Sequence, residues 1–366
     1  MNIEINENIN SYYSFNEIRD FFQKFSKLSG FSIKKIGTSE NGKPIELISY
    51  KKTANNTNSI LIFGAEDASE AIFSQTIFWL LSELSKNDSQ IHELNLDWHF
   101  ISCINPDGYI KNEGWLKHAG DLKAFLENSW EDIHSRMLFW KTEERIEHEA
   151  LKKAILISKP NLIYNLHDES HFPADGYKFI FSSPINLELL NPHLNRIKEF
   201  MDISSEELVI TDSYGNDPRF SVSSAFEVNK DTFAFSNESC GYKLTDSNSP
   251  PIFINTSDIL YKMLKDYQKL QVDNFNDELE SSLFHTNLLI KSIESNEEFN
   301  TKMLSITGYG LEYLLKLGFN DANKIKDVFL NHIESNFKNK YSPIPVWKQV
   351  FTQLDFLFTI LKIRNI

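Results

Sequence analysis

Apolar residues at Phe15, Ile18, Phe21, Phe22, Phe25 and Leu28 recur every three or four positions, and Gly30 follows them. That spacing predicts an amphipathic helix over 15–29, closed by the glycine. The next stretch, FSIKKIGTSENGKPIELISYKK, changes to two short β-type runs on either side of Asn41-Gly42. Asn-Gly between such runs is a hairpin signal, because both residues tolerate positive φ. Residues 59–63 (SILIF) form a short continuous apolar run that suits a buried strand, and 70–84 carry a helical apolar stripe. A strand is expected at 98–104, ended by the turn sequence Asn105-Pro106-Asp107-Gly108. Further on, 143–158 reads as a charged amphipathic helix and 161–166 as a buried strand ending at His167. Short strands are expected at 176–182, 208–211 and 232–235.

Strands alternating with helices predict an α/β fold whose sheet is covered on both faces. From about Leu279 the pattern becomes helical only: ELESSLFHTNLLIKSI, LEYLLKLG, KIKDVFLNHIESNF and VWKQVFTQLDFLFTILKI. The expected division is a catalytic domain over 1–274 and an all-helical C-terminal appendage over 275–366. In open α/β sheets reactive groups gather at strand ends. Asp67, Asn105, His167 and Glu238 each follow directly after a predicted strand, which is the structural reason to group them.

Composition narrows the range of partners. The formal net charge is −14 and there is no long Lys/Arg run, so neither nucleic acid nor an anionic membrane surface is an expected partner. Hydrophobic residues at 41% and charged residues at 24% are enough for an ordinary buried core. Cys103 and Cys240 are the only cysteines, too few for a disulfide framework, and reduced thiols are expected. The start, MNIEINENINSYYSF, has acidic residues where a signal peptide needs positive ones, and no apolar run reaches about 18 residues. The expected location is the cytoplasm.

Asp67 and Glu70, three residues apart in a first helical turn, can face one point. His167 from another strand end would then close three sides of a metal site and leave the fourth to water. Helix N-termini also favour carboxylates. Taken singly, acids in a first helical turn are usually capping residues and such a histidine is more often a structural one.

Order and surroundings add a resemblance. Tyr12-Tyr13, the amphipathic helix, Ile36-Gly37-Thr38-Ser39, Gly42-Lys43-Pro44-Ile45, ILIFGAEDASEA, the Asn-Pro-Asp-Gly turn with YIKNEGW after it, NLIYNLHDES and TFAFSNES follow one another as in the zinc carboxypeptidases. The chain resembles that family over residues 12–271. The resemblance implies a mixed sheet, a zinc ion held by Asp67, Glu70 and His167, and hydrolysis of a peptide or amino-acid conjugate. It implies that Glu238 takes a proton from the attacking water and passes it to the leaving amine.

The family's first ligand is histidine, and Asp67 stands in its place. The other register, 63–66, would put Phe63 at a ligand position and Glu66 at the second. An extra carboxylate makes Mn²⁺ or another oxygen-preferring ion more competitive. The family's Asn-Arg pair for the substrate carboxylate is missing between Gly108 and Lys159. Arg136 is the candidate catalytic cation, and Asn105, Lys117, Tyr214 and Arg219 are candidate substrate contacts. Asp168 and Glu169 are placed to orient His167, and His171 reads as a surface residue. Two other readings fit the same fold: a peptide-binding module without catalysis and a small-molecule deacylase. The apolar stripes of the helical C-terminal segment are expected to dock on the main domain or to pair with another subunit.

Overall fold

The structure, a computed structural model, describes residues 3–51, 58–66, 68–117, 146–169, 178–183, 185–201, 211–214, 232–240, 242–244 and 341–365. Helix α1 (Phe15–Phe25) starts at Ser14, whose side chain accepts from the Glu17 N–H while Glu17 reaches back to the Ser14 N–H. This reciprocal cap satisfies two end groups at once. The helix buries Phe15, Ile18 and Phe22 and stops at Ser26, a turn earlier than the apolar spacing predicts. Strands β1 (Phe31–Thr38) and β2 (Pro44–Tyr50) form the expected antiparallel hairpin, with Gly42 at φ +78 in its turn.

The remaining elements follow as β3 (Asn58–Gly64), α2 (Ile72–Ser85), β4 (Leu96–Ile101), α3 (Pro106–Lys111), α4 (Glu113–Leu116), α5 (Ile146–Ser158), β5 (Leu162–Glu169), β6 (Lys178–Phe181), α6 (Asn191–Met201), β7 (Thr211–Tyr214), β8 (Phe233–Cys240), β9 (Tyr242–Leu244), β10 (Tyr341–Pro343) and α7 (Val346–Ile363). Among the described residues, eight strands make one sheet in the order β1-β2-β4-β3-β5-β8-β6-β7. The centre β4-β3-β5-β8 is parallel, while β1, β2 and β6 bring antiparallel pairings. The sheet is therefore mixed.

Successive side chains of a strand point to opposite faces, and two cores result. Ile60 and Ile62 of β3 with Tyr164 and Leu166 of β5 join the larger core, which α1, α2, α6 and α7 cover. Leu61, Phe63 and Ile163 face the smaller core, closed by Ala150, Leu151 and Ala154 of α5. Helices thus lie on both faces, as the alternation predicts.

One expectation changes here. Asn105-Pro106-Asp107-Gly108 begins a helix: the Asn105 side chain accepts from the Gly108 N–H at 3.0 Å and proline opens α3. Both residues suit that position, since proline has no N–H to waste and its φ is already helical. Asp107 instead ties the hairpin down, accepting from Ser39 Oγ at 2.8 Å and the Asn41 N–H at 3.0 Å.

The expected helical appendage is described only at its end. Its boundary at 274 lies outside the described residues, but α7 is packed into the larger core through Val350, Leu354, Phe356, Leu357, Ile360 and Leu361. The β10 strand before it pairs with β9. Polar Gln349 and Gln353 interrupt the apolar stripe of α7 and are buried too, each hydrogen-bonded: Tyr12 Oη donates to Gln349 and Tyr164 Oη to Gln353. The last helix is a wall of the main unit. No helix among the described residues is long and apolar enough to cross a membrane.

Candidate metal centre

The site lies where β3 and β5 end side by side. At Gly64 a Cβ would meet Phe73 Cβ at 2.4 Å and the Leu166 carbonyl at 3.0 Å, so only glycine lets α2 and β5 approach this closely. Ala65 then takes φ +59, a left-handed conformation that disfavours residues with a side chain. Glu66, the next residue, is turned back over β5 and buried, its Oε2 accepting from Asn165 Nδ2 at 2.5 Å.

Helix α2 begins at Ile72, so Glu70 precedes the first helical turn and does not lie within it as the sequence suggests. Its N-cap, Ala71, has no side-chain cap. The need is met from β5: Asp168 Oδ2 accepts from the Ile72 N–H at 2.8 Å. Asp168, expected to orient His167, is thus bonded to the start of α2. This bond holds the loop 68–71 against the end of β5.

His167 lies within β5, where the sequence places it just after the strand. It is buried, and its Nδ1 is 2.8 Å from Glu70 Oε2, which also accepts from the Asp168 N–H at 3.3 Å. Its Nε2 is 3.7 Å from Glu66 Oε2. The backbone of His167 is held from the other face, where Gln353 Nε2 of α7 donates to the His167 carbonyl at 2.7 Å. Gln353 in turn accepts from Tyr164 Oη at 2.5 Å, and Tyr164 Oη also reaches Asn237 Oδ1 of β8 at 2.6 Å.

Glu238 is the residue of β8 in register with His167, and Lys178 of β6 pairs with it on the other side. The sequence expects Glu238 after its strand; the strand in fact runs through it. Tyr214 ends β7 opposite Phe181. Asp67, Arg136, His171 and Arg219 lie outside the described residues. Asn105 is buried with its Oδ1 given to α3, and its Nδ2 is 2.7 Å from where a Cβ on Gly108 would stand. Lys117 is exposed after α4. It adds the smallest of the influences on Glu17, whose carboxyl is held below its usual range mainly by hydrogen bonds with Ser14.

Of the expected ligands, the structure brings together Glu70 and His167, with Glu238 alongside in the sheet. Sequence reading passes over Asn165 and Gln353 and gives Glu66 no part in the favoured register. Signals for two of them exist: Asn165 is a polar residue two positions before His167 in an apolar strand, and Gln349 and Gln353 recur four apart in an apolar helix.

The chemistry of the pair is definite. An imidazole lone pair and a carboxylate oxygen repel at 2.8 Å unless something positive lies between them. A proton on Nδ1 or a metal ion between the two meets that need. The same two donors, one nitrogen and one oxygen, suit a zinc ion or another divalent cation. They fit two places of a metal site. Among the described residues no group of three possible ligands occurs, and the third expected donor, Asp67, is outside them.

Comparison with known proteins gives the following. Residues 18–124 match the family model described as zinc carboxypeptidase. No curated protein matches the chain. Among solved structures, a metallo-carboxypeptidase from Burkholderia cenocepacia is 15% identical with a TM-score of 0.41, covering 63% of this chain and 60% of that one. A metallo-carboxypeptidase from Pseudomonas aeruginosa, in complex with (2-guanidinoethylmercapto)succinic acid, is 18% identical with a TM-score of 0.43 and the same coverage. Carboxypeptidase A from Helicoverpa armigera is 12% identical with a TM-score of 0.43, covering 86% of this chain and 74% of that one. The chain spans about 60% of the length of the first two. Likenesses of this size decide nothing about activity. It is segment 18–124, rather than the whole chain, that matches the zinc carboxypeptidases.

Proposed function

We propose that the chain is a metal-dependent hydrolase that cleaves an amide bond, releasing a C-terminal residue from a peptide or small conjugate. The observation that carries this reading is the buried Glu70–His167 pair at 2.8 Å, set at the strand ends with Glu238 in register beside it. Glu70 and His167, with Asp67, would hold the metal. When bound, zinc supplies a Lewis acid and lowers the pKa of a water molecule.

The remaining roles belong to the chain's own groups. Glu238 accepts a proton from the attacking water and returns it to the leaving amine. Arg136 steadies the oxyanion, and Arg219 and Tyr214 hold the substrate. A site with two carboxylates and one imidazole carries one more negative charge than one with two imidazoles. It is therefore less strongly acidifying and more open to Mn²⁺. The substrate is a peptide or an acylated amino acid.

Elemental analysis of protein purified without chelator tests the reading, repeated on Glu70→Gln and His167→Ala. About one divalent ion per chain is expected for the parent, with strong depletion in both variants. Full occupancy in His167→Ala would remove the site.

A second reading, a peptide-binding module without catalysis, has its own support. Glu66 with Asn165 and Glu70 with His167 are already hydrogen-bonded without any ion. A parent chain that contains no metal, takes none up, and binds peptides without cleaving them would favour it.

A further inference from the structure

We propose that Glu66 is a positioning residue for His167: its carboxylate takes the Nε2–H of the imidazole, leaving Nδ1 as the nitrogen offered beside Glu70. This rests on the metal-dependent reading above and goes further, because it gives a role to a residue that the sequence treats either as a bystander or as a ligand. The geometry supports neither of those. Glu66 Oε2 stands 3.7 Å from Nε2, whereas Glu70 Oε2 stands 2.8 Å from Nδ1. The two carboxylates address different nitrogens of one ring, whose lone-pair directions diverge.

Three features hold Glu66 there. The left-handed turn at Ala65 delivers it over β5. Asn165, two residues before His167 and so on the same face of the strand, donates to Glu66 Oε2 at 2.5 Å. Glu66 is also only 6% exposed. A carboxylate removed from water needs compensating donors, and Asn165 supplies one. A carboxylate oxygen accepts more than one hydrogen bond, so the Nε2–H is the natural second. A small rotation of either side chain would close the 3.7 Å separation to hydrogen-bond distance.

The consequence is a choice of nitrogen. Neutral imidazole carries its proton on one nitrogen and offers the other. A carboxylate at Nε2 favours the proton there and raises the donor strength of Nδ1.

The test uses the full chain and two probes, zinc and cobalt(II). Zinc affinity is read by competition with a chromophoric chelator for the parent, Glu66→Gln, Glu66→Ala and Asn165→Ala. The Glu66 variants should bind zinc roughly 10–100-fold more weakly, the usual effect of losing an outer partner of a ligand histidine. Asn165→Ala should weaken binding in the same direction by less. In the cobalt form, the exchangeable ring N–H proton of His167 gives a shifted proton resonance. It should exchange with solvent faster in Glu66→Ala than in the parent, a change that a purely structural role would not produce. Circular dichroism identifies any variant that has not folded, and Glu66→Gln, nearly isosteric, guards against that outcome.

Affinity within about twofold of the parent in a folded Glu66 variant would overturn the proposal, since an outer partner should matter more. Loss as complete as in His167→Ala would overturn it differently, by making Glu66 a ligand. A parent chain that takes up neither ion overturns the functional reading itself, a result separate from unchanged affinity in the variants.

Discussion

Among the described residues two buried imidazoles meet carboxylates, and the ratios are reversed. At the end of β5, one imidazole, His167, is shared by two carboxylates, Glu70 and Glu66. Between α6 and α7, one carboxylate, Asp355, is shared by His193 Nδ1 at 2.6 Å and by Arg196, through Nε at 2.8 Å and Nη2 at 3.1 Å. Arg196 extends the second cluster to Thr359 Oγ1 at 3.1 Å. The second arrangement balances its charge with a fixed guanidinium and stitches two helices together. In the first, negative groups outnumber the imidazole and converge on it from both ring nitrogens. Proximity of histidine to carboxylate is common to both; the ratio is what sets them apart.

The largest expected effect separates the two in activity. Glu238→Gln should slow hydrolysis by roughly 10²–10⁴ while metal content stays at the parent level. His167→Ala should abolish both metal and turnover, and His193→Gln should leave both intact in folded protein. A panel of short peptides and acylated amino acids, followed by release of the terminal amino acid, supplies the rates. Equal losses in His167→Ala and His193→Gln would dissolve the comparison.

Stability should show the opposite ranking. Asp355→Ala leaves His193 and Arg196 without their shared acceptor and should cost about 3 kcal/mol, in the range for breaking a buried ion pair. Glu70→Gln should change stability by less than about 1 kcal/mol, because groups arranged for function are seldom optimised for stability. Urea unfolding of metal-free protein measures both.

A smaller effect concerns pH. Burial pushes the His193 imidazole below its ordinary pKa, against the pull of Asp355, so the folded protein resists protonating it. Burial alone raises Asp355, but the hydrogen bonds from His193 and Arg196, with their charges, bring it below its ordinary value. His99 is held down at about 4, chiefly by burial; its Nδ1 lies 2.7 Å from Ser49 Oγ. For both histidines the unfolded chain binds protons more readily than the folded one, so stability is complete above about 6.5 and falls as acid is added. For His99 the loss runs down to about 4. Asp355 adds its loss only below its unfolded value, near 3.9. Unfolding midpoints measured from pH 7 to 4 should decline, with a shallower decline in His193→Gln. A rise on acidification would contradict the sign.

The smallest expected effect tests the helix behind the site. Gln353→Leu removes the donor to the His167 carbonyl and should cost about 1 kcal/mol. It should weaken zinc binding less than Glu66→Gln does.

Much of the fold was legible because periodicity reports which face is buried. The strand at 59–63, the helix stripe at 70–84 and the hairpin about Asn41-Gly42 all stand close to their predicted places. Ends were less legible, since they depend on distant partners. Helix α2 starts at Ile72 because Asp168, 96 residues away, caps it. Strand β8 runs through Glu238 because β5 pairs with it that far. The contact between Glu70 and His167 was visible through motif order. Glu66 was not, because its position is set by the left-handed turn at Ala65, which a non-glycine residue does not announce. The helix at 346–363 was recognised as a helix, yet its place in the core depends on contacts that no local pattern carries.

The bond between Tyr164 and Gln353 spans 189 positions along the chain. Contacts of such long range delay folding, because a large loop must close before the contact repays its entropy. During synthesis β5 is made long before α7 emerges, so the strand that bears His167 first exists without the helix that backs it. The larger core stays open on that side until the last helical turns are released, and the aromatic faces of Tyr164, Phe179 and Phe235, later sealed by Phe356, are exposed in the meantime. Half-made chains of this protein are therefore its aggregation-prone form, and the surroundings of His167 are completed only at the close of folding.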